Sequence, residues 1–117
     1  MNRYQLAKIV AWAEILQTRK RMQKVVYLLQ VAGCPLDADY TLHHYGPYSQ
    51  EVARLTDEMV QAGILTETAT RNAVGQQFSY SLSESARSNL TVFESTPPGR
   101  TQAAQLDEFL SDKRWLL

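Results

Sequence analysis

The chain has 117 residues, 44% of them hydrophobic and 21% charged, which excludes wholesale disorder and allows a core without disulfides or structural metal. Twelve Lys and Arg offset twelve Asp and Glu, so a strongly basic nucleic-acid binder is excluded for the whole chain, though a local cationic patch is not. One cysteine, Cys34, rules out an intramolecular disulfide framework and suits a reducing cytosol.

Apolar residues at Leu6, Ile9, Val10, Ala13 and Leu16 recur at helical spacing, which predicts a first helix over 3–17. Thr18 is a cap for a second helix, opened by Arg19, Lys20 and Arg21. Three cations there oppose the helix dipole, so they are either a solvated basic end or an anion or partner contact. Met22, Val25, Val26, Leu29 and Ala32, with Tyr27, Leu28 and Val31 on other faces, make this helix apolar nearly all round. It is therefore expected to be the central buried helix. Gly33 stops it and Pro35 prevents its resumption.

Residues 39–45 lack a helical period and are rich in Tyr, Thr and Leu, which predicts a short strand. Gly46-Pro47 is a turn signal, and Ser49 caps a third helix with Val52, Leu55, Met59 and Ala62 on its inner side and Gly63 as its stop. Residues 64–70 and the alternating Phe78, Tyr80 and Leu82 predict a β-hairpin, turned at 71–76. A helix over 83–94 follows, with Ala86, Leu90 and Phe93 inward. Thr96-Pro97-Pro98-Gly99 reads as a stiff linker, and a last helix over 102–115 presents Leu106, Phe109 and Leu110. Charges at Arg3, Lys8 and Glu14 break any signal-peptide core, and no run reaches the ~18 apolar residues of a membrane helix. A soluble cytoplasmic protein is expected.

The order helix, helix, strand, helix, β-hairpin is that of an α+β winged helix-turn-helix with a C-terminal helical extension. A winged-helix-like domain is expected over 1–95, with linker and C-terminal helix over 96–117 packing on it or on a partner in a homodimer. The runs Lys24-Val25-Val26-Tyr27-Leu28-Leu29-Gln30, His44-Tyr45-Gly46-Pro47-Tyr48-Ser49 and Ala62-Gly63-Ile64-Leu65 resemble the YwgA-like proteins. More distantly, they resemble the Panacea-domain antitoxins and phage-associated proteins. The resemblance covers residues 20–82, and Tyr-Gly-Pro-Tyr-Ser is its most specific part. It implies a small winged-helix-like intracellular protein, found with phage or defence loci, with no established enzymatic activity.

Two ligands follow from this scaffold. Sequence-specific binding of duplex DNA, as a transcriptional regulator, would place Gln50, Arg54 and Gln61 of the third helix at bases, with Arg19, Lys20, Arg21, Lys24 and Arg71 on phosphates. Glu51, Asp57 and Glu58 on the same helix weigh against that insertion. The favoured reading is a protein-binding module, in which Tyr45 and Tyr48 flank a groove between the second and third helices. Arg54 and Glu58 then supply mixed charge on the partner surface. Trp12 and Trp115 are further aromatic anchors, with core packing the plainer role for Trp12.

Catalysis is not expected. Cys34, His43, His44 and Asp37 contain a nucleophile and bases, but no spacing brings them together. Successive strand histidines point to opposite faces, there is no Cys-x-x-Cys, and the glycines are scattered as element stops. Neither a metal nor a cofactor is expected.

Overall fold

The computed structural model of the chain describes residues 1–44 and 46–111. α1 (Arg3–Ala13) starts at Asn2, whose side chain accepts from the Gln5 N–H at 2.9 Å while the Gln5 side chain accepts from the Asn2 N–H at 2.9 Å. This reciprocal cap satisfies donors that a helix start leaves open. The helix expected over 3–17 ends early: Glu14 takes φ 68°, and β1 (Leu16–Gln17) follows. A strand residue at position 16 reaches the same core that one more helical turn would reach, so the apolar period did not separate the two.

α2 (Arg19–Val31) is capped by Thr18, whose hydroxyl accepts from the Arg21 N–H at 3.1 Å. Thr18 itself holds φ 73° and ψ 147°, a region that side chains with a Cβ rarely occupy. The burial expected on nearly all sides of this helix is restricted to one face, formed by Met22, Gln23, Val25, Val26 and Leu29. Tyr27 and Leu28 are half-buried and Val31 is 65% exposed.

β2 (Thr41–His43) lies within the expected strand, but it pairs with β3 (Gly46–Tyr48), the segment read from sequence as a turn. The two form a separate antiparallel ribbon, with Thr41 opposite Tyr48 and His43 opposite Gly46. α3 (Gln50–Gln61) begins at Ser49, which accepts from the Val52 N–H at 3.1 Å, and buries Val52, Leu55, Thr56 and Met59.

β4 (Leu65–Asn72) and β5 (Gly75–Leu82) form the hairpin. Its loop is only Ala73-Val74, tighter than the expected 71–76, because the Asn72 side chain accepts from the Val74 N–H at 2.9 Å and Gly75 takes φ 130°. The three-stranded sheet has the order β1-β5-β4, with Leu16 opposite Tyr80. The strand that joins the hairpin is therefore the one between α1 and α2, and the strand before α3 does not. That corrects the expected element order within an α+β fold.

α4 (Glu84–Glu94) is capped by Ser83, and α5 (Pro97–Leu110) by Thr96. The expected linker is the first turn of α5: prolines fit there because those N–H groups have no helical acceptor, and the Thr96 hydroxyl accepts from the Gly99 N–H at 3.2 Å. Trp115 and the rest of the expected last helix beyond Ser111 lie outside the described residues. Leu106 and Leu110 of α5 share one core with Leu6 and Ile9 of α1, Val26 and Leu29 of α2, Val52 and Met59 of α3, and Tyr80 of β5. Across the outer side of that packing, the Lys8 ammonium meets Glu94 at 2.6 Å and Asp107 at 3.2 Å, and the Tyr4 hydroxyl donates to Glu94 at 2.6 Å.

The elbow between α4 and α5 has no slack. A Cβ on Gly99 would stand 2.5 Å from the Phe93 carbonyl carbon, with the oxygen nearer still. Backbone on both sides cannot yield as a side chain would, so Gly99→Ala should lower the unfolding free energy by about 1–3 kcal/mol or more. A urea titration reads this directly, and an unchanged midpoint would show that the elbow can open without loss.

Candidate partner-binding groove

α2 and α3 do not close against each other along their whole length. Between them lies a groove of about 640 Å³, with β3 contributing to its wall. Met22, Tyr27 and Leu28 of α2 give it an apolar side, faced by Val52, Ala53 and Thr56 of α3 and by Pro47 and Tyr48 of β3. Lys20 and Lys24, four residues apart on α2, also line it, as does Arg19. Among the described residues, no carboxylate lines this groove.

The groove keeps its shape because a buried glutamine fixes its inner end. The Gln23 side-chain N–H donates to the Ser49 carbonyl at 2.8 Å, and the Gln23 Oε1 accepts from the Ser49 N–H at 2.9 Å. Gln23 thus behaves like a second backbone strand for one residue, and the residue it holds is the N-cap of α3. Two turns along α2, Gln30 grips Ala38 in the same way, at 2.9 and 2.8 Å. The Tyr40 hydroxyl donates to the Gln23 carbonyl at 2.9 Å, and its ring meets Tyr27 edge-on at 5.2 Å. The connection from α2 to α3 is therefore stitched to α2 at several points.

Of the residues singled out from sequence, Arg19, Lys20, Lys24 and Tyr48 come together in the groove. Tyr48 is half-buried, its ring 5.1 Å from the His43 imidazole. Tyr45 lies outside the described residues. Lys20 and Lys24 make no ion pair among the described residues. Arg21 is exposed and does not line the groove.

Arg19 has a different task from the phosphate contact expected of it. Its guanidinium binds Asp57 of α3, approaches Glu67 of β4 at 3.3 Å and donates from Nε to the Tyr80 hydroxyl at 2.8 Å. Tyr80 in turn donates to Glu67 at 2.7 Å. The hydrogen bond to Asp57 is the main reason that the Arg19 pKa is raised, while burial, and then the bond to Glu67, pushes Tyr80 up to about 12. This arginine joins α2, α3 and the sheet.

The remaining candidates are dispersed. Arg54 and Glu58 face each other at 3.8 Å on the solvent side of α3, where Gln50 and Gln61 are also exposed. Arg71 stands near the hairpin loop, opposite Gln76. The carboxylates thought to repel DNA are largely occupied: Asp57 by Arg19, and Glu51 by the Met1 amino group at 2.8 Å and the Asp39 N–H at 3.1 Å. Those bonds hold the Glu51 carboxyl below its usual range. Cys34 is buried, and burial pushes its thiol up to about 11, so little thiolate forms near neutrality. Among the described residues, no group of three His, Cys, Asp or Glu is placed to hold a metal. No described helix is long and apolar enough to cross a membrane.

Sequence reasoning missed Gln23, Tyr27, Leu28, Pro47 and Ala53 as groove residues. A signal existed for the first: Gln23 and Gln30 sit seven residues apart in an apolar helix, where a polar side chain needs a partner.

No protein-family model matches the chain. Among curated proteins it is similar to the uncharacterized protein YwgA of Bacillus subtilis (strain 168), with 35% identity over 66 residues. The alignment covers 56% of this chain, and the chain spans 40% of the length of that relative. The relationship is YwgA-like over about half the chain.

Gln23→Ala should leave the Ser49 N–H buried without a partner, at about 1–3 kcal/mol, while the Ser49 carbonyl keeps the Ala53 N–H at 3.2 Å. A loss of that size in denaturant unfolding, with faster exchange of the Ser49 amide, is the expected result. Wild-type protection of that amide in the variant would mean that the clamp does not set the start of α3.

Proposed function

We propose that this chain is a non-enzymatic regulatory module of winged-helix type, acting through protein–protein contacts inside the cell, in an antitoxin-like or phage- or defence-associated setting. Support for the winged-helix reading comes from the sheet order β1-β5-β4, in which the strand between α1 and α2 flanks a hairpin that follows α3. The observation that carries the binding reading is the groove between α2 and α3, which is apolar inside and bears two lysines without ion pairs among the described residues. An open apolar concavity with a few convergent polar groups is the usual form of a binding site. Aromatic side chains such as Tyr48 and Tyr27 are common anchors of protein contacts.

Tyr48→Ala should leave the thermal midpoint within about 3 °C, since a half-buried ring on a short ribbon carries little of the core. It should reduce capture of the protein's partner from its native host by more than tenfold. Undiminished capture by a folded variant would overturn the groove as the contact surface.

A second reading, binding of duplex DNA, is favoured by Gln50, Arg54 and Gln61 on the exposed side of α3 and by Arg71 near the end of the hairpin. Under it, the double charge reversal Arg71→Glu with Lys20→Glu should abolish a mobility shift and its salt dependence. If the double variant shifts duplexes as the parent does, this reading fails.

A further inference from the structure

We infer that the α2–α3 groove takes an acidic amphipathic helix: a partner segment that lays an apolar stripe on the groove and sets two carboxylates against Lys20 and Lys24. This rests on the groove being a protein-binding site and names the chemistry of its occupant.

Charge comes first. Lys20 and Lys24 stand one helical turn apart and make no ion pair among the described residues. Arg19 beside them is already neutralised by Asp57, so it adds no net charge to the two lysines, and no described carboxylate lines the groove to compete. An incoming anion therefore finds two open cations and no repulsion from the lining. A basic or neutral segment would leave both lysines uncompensated under an apolar cover, which is unfavourable.

The conformation of the occupant follows from β3. A segment adding as a strand would need main-chain donors from that edge, and Pro47 has no N–H to give. A helix brings its own backbone bonds and needs only side-chain pockets. The α2 side of the groove runs from Arg19 to Leu28, roughly 14 Å at 1.5 Å per residue, enough for two to three turns. Carboxylates at i and i+4 of such a helix match the spacing of Lys20 and Lys24.

The test is a display library of random sixteen-residue peptides panned against the full chain. The enriched peptides should share two acids four residues apart beside Leu, Phe or Trp at i, i+3 or i+4, and should lack internal proline. Their Kd should rise more than tenfold on Lys20→Glu with Lys24→Glu, and peptides with both acids changed to Lys should recover binding to that reversed variant. Enriched peptides that are basic, neutral or proline-rich, yet lose binding on Tyr48→Ala or Ala53→Gln, would overturn the acidic helix and leave the groove standing. Peptides indifferent to Tyr48→Ala and Ala53→Gln, or no enrichment at all, would overturn both the groove and its occupant.

Discussion

The geometry of this molecule turns on one buried amide. Gln23, 8% exposed at the inner end of the groove, exchanges two hydrogen bonds with the backbone of Ser49, which is fully buried. Without it the Ser49 N–H would be stranded in a low-dielectric interior, so the pair fixes how far α3 can stand from α2. Ser49 then caps α3, and its orientation sets the helix axis. Position, start and direction of α3 all pass through this contact. The groove is the space that remains when two helices are held at the end by a polar pin rather than pressed together along an apolar seam.

Electrostatics divides the basic run of α2 into two populations. Arg19 is spent on a junction at the surface of the fold, tying Asp57 and Glu67 to the Tyr80 hydroxyl; planar, multi-donor arginine suits such a junction better than lysine. Its neighbour Lys20 and the next turn's Lys24 face the open side instead. A formal charge of +0 over the chain conceals this separation, because Glu51, Asp57, Glu58, Glu67, Glu94 and Asp107 are drawn into ion pairs away from the groove lysines.

Much of the helical framework was legible from residue order. Caps at Thr18 and Ser49 and the hairpin ending in Leu82 stand where the pattern put them. Failures came where two conformations satisfy one pattern. Leu16 is buried whether it ends a helix or starts a strand, and only pairing with Tyr80, 64 positions away, selects the strand. Pro97 and Pro98 are equally at home in a loop and in a first helical turn; the deciding contact, Gly99 against the Phe93 carbonyl, is tertiary. For the site, the aromatic and basic residues were visible as types, and Lys20, Lys24 and Tyr48 do share one groove. What no periodicity could separate was the structural arginine from the two lysines, since that depends on Asp57 and Glu67 arriving from other elements.

Thr18 joins the three-stranded sheet to α2 with a main-chain conformation that glycine adopts readily and a β-branched residue does not. It is kept there from two directions, its amide donating to the Phe78 carbonyl at 2.7 Å and its hydroxyl accepting from Arg21. Strain of this kind is worth about 1–3 kcal/mol, and it is released once either grip lets go. The helix that carries both groove lysines is thus mounted on a loaded pivot. That tension stays wound because the Arg19 and Gln23 contacts of the next turns bind α2 to α3 and to the sheet, so the joint and the width of the groove are held by the same first stretch of helix.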